Sequence, residues 1–378
     1  MLGNQLTLFK LLGIDIKVDL SWLFLALLVT WTLASGLFPV LYEGYAPGIY
    51  WRMGIVGALG LFASIVLHEL AHSVVARRHG IQIEGITLFI FGGVAEMGGE
   101  PPSAKAEFRM AIAGPIASAA LAVIFYWVHN FGLTANFSEP VLGVFYYLSS
   151  INAILAIFNL IPAFPLDGGR VLRAVLWSWK GDLKWATNIA SKTGAAFGFA
   201  LIIVGFINVL RGNFIGGMWW FLIGMFVRQA ASASYMQVLA KDTFGGELVS
   251  RFMTPDPETV SPSISVETLI EDHIYRTHHQ CYPVVEDGRP IGLVGTREAR
   301  EVPAGERSHT PVGRIMRALT ADIAVAPDFE AMAALSLMNR TSNSRLLVVE
   351  SGRLVGIVTL KDMLGFLSAR LDLERPGG

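Results

Sequence analysis

The chain is poor in charge, almost free of cysteine, and without an excess of either sign. Only 16% of its 378 residues are Asp, Glu, Lys or Arg, against about a quarter in an ordinary soluble domain. A formal net charge of −1 removes the electrostatic case for nucleic-acid binding. The single cysteine, Cys281, excludes a disulfide framework and reads as a small buried hydrophobe rather than a reactive thiol. No cleavable signal peptide is evident. The first apolar stretch begins after Asp15, Lys17 and Asp19 and runs over 20–42 without a charge. That is long enough to span a bilayer and to act as an uncleaved anchor.

What the chain has instead is apolar residue: 53% is hydrophobic and mean hydropathy is +0.52. The charge is also uneven. Of the 59 charged residues, 34 lie in 241–378, which leaves 25 for the first 240. The asymmetry predicts a membrane-embedded first body and a water-soluble second one. Six membrane segments are expected, near 20–42, 53–76, 109–130, 141–166, 193–210 and 213–229. The fourth carries Pro162 and Pro165, which break helices, and ends in Asp167-Gly168-Gly169. Basic residues fall in alternate loops: Lys10 and Lys17, then Arg77, Arg78, Lys105 and Arg109, then Arg170, Arg173, Lys180, Lys184 and Lys192. The opposite loops hold only Arg52 and Arg211. Positive loops mark the cytoplasmic side, so both termini are expected there.

Residues 81–97 are too short and too glycine-broken to span. They contain Phe91-Gly92-Gly93-Val94 and read as a hairpin or small sheet at the membrane face. From about 249 the chain repeats itself. Residues 282–294 (YPVVEDGRPIGLV) match 346–358 (LLVVESGRLVGIV) 64 residues later. Such repetition fixes an architecture of two equivalent units, with 236–248 as the linker before them.

The second segment carries His68-Glu69-Leu70-Ala71-His72. On a helix, positions i and i+4 share a face, so both imidazoles reach one ion. Glu69 points about 100° away by the helical period. It is better placed to take a proton from an attacking water than to be a strong ligand. A catalytic zinc takes three protein ligands and keeps one position open. Asp167 is the candidate third, because an uncompensated carboxylate in an apolar region is costly, and the prolines and glycines around it let the chain bend it inward. Asn159 is placed to hydrogen-bond a substrate carbonyl or its developing oxyanion, with a helix–helix hydrogen bond as the alternative. For the two histidines the alternative is a pair of satisfied interior polar groups; the metal spacing with an adjacent Glu argues against it. His79, just past Arg77 and Arg78, reads as interfacial rather than as a ligand.

These motifs, with Asn159–Gly169 (NLIPAFPLDGG), Phe91-Gly92-Gly93-Val94-Ala95 and Ala113-Gly114-Pro115 in the same order, resemble the site-2 protease family of intramembrane metalloproteases over about 1–235. The resemblance implies zinc held by His68, His72 and Asp167, Glu69 as general base, and Asn159 near the scissile bond. It also implies hydrolysis of a peptide bond inside a substrate's membrane segment, in membrane-tethered regulators such as anti-sigma or pro-sigma factors. The extracytoplasmic PDZ insertion common in the family has no room in 131–140. A helical peptide bond is shielded by its own hydrogen bonds, so the substrate must unwind. A strand edge at Gly92, Gly93 and Val94 offers it pairing by strand addition, with a short interfacial turn as the alternative. Ala113-Gly114-Pro115 reads as small-residue packing and a kink rather than as chemistry.

The repeat resembles a tandem pair of CBS domains, about 249–308 and 309–370. Such pairs bind adenine nucleotides, so the resemblance implies ATP or AMP held by Thr359 and Asp362 in the second copy. In the first copy Gly295 stands in place of the hydroxyl, with Thr296 adjacent, and Glu298 in place of the Asp. A CBS pair that serves only to dimerise the chain is the alternative. The expected whole is a multi-pass α-helical membrane protein with a small membrane-associated β-sheet, followed by a soluble α/β CBS module, in the plasma membrane with a membrane-spanning protein as substrate. Two other classes compete: a CBS-regulated transporter, which has no need of a Glu between two zinc-spaced histidines, and a non-catalytic membrane binder, against which all the catalytic residue types are present.

Overall fold

A computed structural model describes residues 5–89, 92–97 and 99–374. It separates into two units, Met1–Met236 and Gln237–Gly378. The helices before the repeat are α1 Leu20–Leu41, α2 Pro47–Arg78, α3 Ala104–Thr134, α4 Glu139–Asn159, α5 Asp167–Lys180, α6 Leu183–Leu210 and α7 Phe214–Phe244. All except α5 are long and apolar enough to cross a membrane. Their outward faces are greasy: Leu27, Trp127, Ile157 and Leu210 are each at least 70% exposed, as lipid contact requires and water does not favour. Several starts are capped locally. Asp19 accepts from the Ser21 amide, Ser103 from that of Ala106 and Asp182 from that of Trp185, each satisfying an amide that the first helical turn leaves open.

The expected hairpin is half of a larger sheet. Strands β1 Gln5–Leu11, β2 Ile14–Asp19, β3 Ile83–Phe89 and β4 Gly92–Met97 lie in the order β1-β2-β3-β4. Strands β2 and β3 run parallel and the other pairs antiparallel. The alternating side chains of β2 bury Ile14, Ile16 and Val18, which pack with Ile86 and Leu88 against Val66 and Leu70 of α2. The sheet therefore underlies the part of α2 that holds the His-Glu motif. β4 is an edge strand.

Three segments differ from the sequence expectation. The fourth span ends at Asn159 rather than 166, because Pro162 and Pro165 place 160–166 in a loop. Asp167 is thus the first residue of the separate helix α5, not the tail of a spanning segment. The last span, expected to be short, is 31 residues long. It continues through part of the 236–248 stretch, which is helical as far as Phe244.

In the second unit the two repeats give matching hairpins. Strands β5 Cys281–Glu286 and β6 Arg289–Gly295 pair antiparallel, as do β7 Arg345–Glu350 and β8 Arg353–Thr359, the latter followed by helix α8 Leu360–Glu374. The register breaks at equivalent places, Val284/Val285 and Val348/Val349. The lead-in strands are exchanged: Thr254–Pro255, ahead of the first copy, pairs with β8 of the second, and Arg317–Ala318, ahead of the second, pairs with β6 of the first. Each copy completes the other's sheet, so neither is an independent unit.

Candidate metal centre

Helix α2 sets His68 and His72 one turn apart on one face, both buried. Their Nε2 atoms are 3.2 Å apart. Asp167 Oδ2 lies 3.0 Å from the Nε2 of His68 and 3.2 Å from that of His72. Among the described residues, these three form the group whose donor atoms could hold one metal ion, all within 4.8 Å of one another. The carboxylate starts α5, where the open amide ends of a helix favour negative charge. Gly168 and Gly169 let the chain fold back on itself there, since a Cβ at either would overlap backbone of residues 160–164.

The other ring nitrogens are held from behind by α3. His68 Nδ1 is 2.9 Å from Ser118 Oγ, and His72 Nδ1 is 2.6 Å from the Met110 carbonyl oxygen. A carbonyl can only accept, so the proton of His72 sits on Nδ1. A neutral His72 then turns a bare Nε2 lone pair toward a carboxylate oxygen and another imidazole. Converging lone pairs repel one another unless a cation lies between them, and this outer support is the usual way that metal-ligating histidines are oriented. Two imidazoles and one carboxylate with an open position match a catalytic zinc set, so the residues present fit that ion.

Gly114, read from the sequence as packing, has a sharper role. A Cβ there would overlap the Nε2 atoms of both His68 and His72. Its bare Cα leaves the space into which the three donors point. Glu69, half-buried, turns toward the sheet, and a Cβ on Gly93 would lie 2.7 Å from its Cγ. The glycine thus gives Glu69 room beside the edge strand. Gly92 sits at φ +131°, a conformation that favours glycine. Val94 pairs in register with Thr87; Phe91 lies outside the described residues. Asn159 is half-buried at the end of α4, at the start of the loop leading to Asp167. Asn152, two turns earlier, makes a helix–helix hydrogen bond: its Nδ2 donates to Ser64 Oγ of α2 at 3.0 Å. His79 bonds the Val75 carbonyl and stands apart from the metal group.

Sequence reasoning missed the pair that holds α5 to α3. Arg173 Nε donates to Glu107 Oε1 at 2.6 Å, with both side chains buried. The Arg173 guanidinium also lies over the Phe164 ring, 5.2 Å from its centroid. The sequence signal was present, a Glu four residues into an apolar helix and an Arg on the Asp167 helix, but nothing local says that they meet.

In the second unit a cavity of about 570 Å³ is lined by residues that include Thr254, Cys281, Arg345, Thr359 and Asp362. Thr359 Oγ1 donates to Asp362 Oδ2 at 2.7 Å and accepts from the Asp362 amide at 3.1 Å. In the first copy Glu298 is engaged otherwise: its carboxylate accepts from the Gly295 amide and pairs with Arg317. Cys281, expected to be buried, is half-buried at the cavity wall, and partial burial pushes its thiol above the ordinary range.

The model of Peptidase family M50 matches residues 56–142 and 134–204, and the CBS domain model matches 249–305 and 312–369. Rip3 of Mycobacterium tuberculosis is 38% identical over 362 residues, 95% of this chain and 92% of that protein. Zinc metalloprotease MJ0392 of Methanocaldococcus jannaschii is 32% identical over 368 residues, 97% of each. A solved site-2 protease from the same organism covers 61% of this chain and 95% of its own, at 33% identity and a TM-score of 0.44. The chain belongs to peptidase family M50, the site-2 protease family, in the form that carries a C-terminal pair of CBS domains.

Proposed function

We propose that this membrane protease is a zinc endopeptidase that cuts substrates within their membrane-spanning segments, with His68, His72 and Asp167 as zinc ligands and Glu69 as general base. The observation that carries the reading is the convergence of three lone-pair donors, two of them fixed from behind through Nδ1. Zinc at such a site supplies Lewis-acid charge and a water acidified toward neutral pH. The chain's own residues supply the rest. Ser118 and the Met110 carbonyl orient the imidazoles. Glu69, half-buried beside β4, takes a proton from the attacking water and returns it to the leaving amine. Asn159 binds the scissile carbonyl or its oxyanion. The edge of β4 around Gly92, Gly93 and Val94, unpaired among the described residues, accepts the unwound substrate as an added strand, which brings the peptide past Glu69. The positive loops favour cytoplasmic termini and a CBS unit on the cytoplasmic side, with membrane-tethered regulators as the substrate class.

The test is reconstitution with zinc and a membrane-spanning model substrate. Glu69→Gln should abolish cleavage while zinc content stays at one per chain, and Asp167→Asn should lower zinc content. Unchanged cleavage by Glu69→Gln would remove Glu69 from the mechanism. Equal zinc in Asp167→Asn would remove the third ligand.

A second reading concerns regulation. The cavity beside Thr359 and Asp362 combines a hydroxyl and a carboxylate suited to a ribose with the cationic side chains of Arg345 and Lys361, suited to phosphate. It supports ATP or AMP as a ligand of the second CBS copy, with one site per chain because the first copy has Gly295 in place of the hydroxyl and its Glu298 is ion-paired with Arg317. Calorimetric titration of the full chain with each nucleotide tests this; absence of binding, with Asp362→Ala indistinguishable from wild type, refutes it.

A further inference from the structure

A groove lies beside the candidate metal centre. Helices α2 and α3 leave an open groove of about 800 Å³. Its walls are apolar, formed among others by Leu67, Leu70, Val74, Ile112, Ile116 and Ala120. Neither metal-ligating histidine lines it. One end is different: Arg78, His79 and Arg109 also line the groove. Arg78 is the last residue of α2, and Arg109 lies near the start of the antiparallel α3, so both guanidiniums fall at the same end. Both are exposed, and among the described residues neither has an ion-pair partner. A long greasy trough with two free cations at its mouth is complementary to an amphiphile with an anionic head.

The length of the trough narrows the occupant. On α2 the lining runs from Leu67 to Arg78, and on α3 from Arg109 to Ala120. Either run is about 16 Å at 1.5 Å per residue. A bilayer's hydrocarbon core is about 30 Å thick, so the groove is as long as one leaflet, and two arginines at one end suit the headgroup level. A substrate's membrane helix would need the full thickness. One lipid chain needs half of it, and basic pockets between membrane helices are where anionic headgroups are held.

We propose that the α2–α3 groove binds one anionic phospholipid, its acyl chain along Leu67, Val74 and Ile116 and its phosphate between Arg78 and Arg109. The site adjoins the chemistry through the backbone. Leu67 and Ala71 flank the two histidines, and Arg109 precedes Met110, whose carbonyl holds His72. A bound lipid would thus fill the flank of the two helices that orient the ligands.

Native mass spectrometry of the detergent-solubilised full chain tests this, with dimyristoyl phosphatidylglycerol and the phosphatidylcholine of equal chain length as probes. Wild type should retain phosphatidylglycerol in preference. Arg78→Gln and Arg109→Gln should each weaken that binding about fivefold and together about 25-fold. Lys105→Gln, which removes a nearby cation outside the groove, should change little. Ala117→Trp should displace the chain with both arginines intact. Equal retention of the two lipids overturns the proposal, as does wild-type binding by the double arginine variant or an equal loss in Lys105→Gln. So does the peptide outcome: with Ile116→Cys in a Cys281→Ser background, protection of the new thiol by a substrate peptide but not by phosphatidylglycerol would make the groove a peptide entrance.

Discussion

Replacing Arg173 by methionine tests what holds the Asp167 helix in place. Glu107 is completely buried. One of its oxygens receives the Arg173 guanidinium, and the other, Oε2, has no hydrogen-bond partner among the described residues. Without Arg173 the carboxylate keeps its full desolvation cost and loses its counter-charge, and breaking a buried pair in this way costs about 3–5 kcal/mol. Loss of the cation over Phe164 adds about 0.5–2 kcal/mol. The double variant Glu107→Leu with Arg173→Met removes both charges and leaves nothing uncompensated, so it should be far more stable than Arg173→Met alone. Thermal unfolding in detergent, followed for wild type, both singles and the double, gives the coupling. Zinc affinity on the same four proteins gives the functional consequence. Asp167 lies six residues before Arg173 on α5 and its loop is the one that Phe164 anchors, so Arg173→Met should weaken zinc about 10–100-fold. If the single and double variants lose equal stability, or if Arg173→Met binds zinc as wild type does, the pair does not position Asp167 and the reasoning fails.

Other outcomes follow from single contacts. Gly114→Ala puts a methyl against both Nε2 atoms and should lower zinc affinity at least tenfold, measured by competition with a chelator, with the helical circular dichroism retained. Gly93→Ala presses on Glu69 and should lower kcat with zinc content unchanged, whereas a purely substrate-binding role for Gly93 would appear in KM. Cys281 is the chain's one cysteine and lines the CBS cavity, so alkylation reports on that cavity alone. Because burial raises its pKa, the neutral thiol prevails at pH 8 and labelling should be slower than for a free thiol. The rate should climb as pH rises past the usual thiol range, and ATP or AMP should slow it further in wild type but not in Asp362→Ala.

The His-Glu-x-x-His spacing was legible because it is local: one helix sets both rings on one face with no tertiary information. Asp167 was singled out by the cost of a carboxylate among apolar residues, by the broken segment around it and by the motif resemblance, and the structure brings it beside both imidazoles. Its setting was not legible, since a chain break and a new helix look alike as a run of Pro and Gly. β1 and β2 were missed because 5–19 lie ahead of the first long apolar run, and β2 pairs with β3, some 70 residues on. The exchange of lead-in strands between the CBS copies was hidden for the opposite reason. Similar repeats carry similar local signals, and nothing in either copy says whose sheet its first strand joins.

The same asymmetry explains the partners of the metal set. Polar groups inside an apolar body must be satisfied by something, so every legible polar residue of α2 implies a partner elsewhere. Ser64 receives Asn152 of α4, His68 meets Ser118 of α3, and His72 meets the Met110 carbonyl. Two of those partners are an ordinary small hydroxyl and a backbone oxygen, which carry no motif. The third, Asn152, sits seven residues before the asparagine that the motif singled out. A motif therefore names the atoms proposed to do chemistry, while the atoms that aim them are chosen by which helix packs behind. Here that helix is α3, which supplies Ser118, Met110, Gly114 and Glu107 and so touches His68, His72 and, through Arg173, the helix of Asp167. A one-residue insertion in α3 just before Met110 would leave every motif intact, yet it would turn Met110, Gly114 and Ser118 about 100° away from the histidines and dismantle the site.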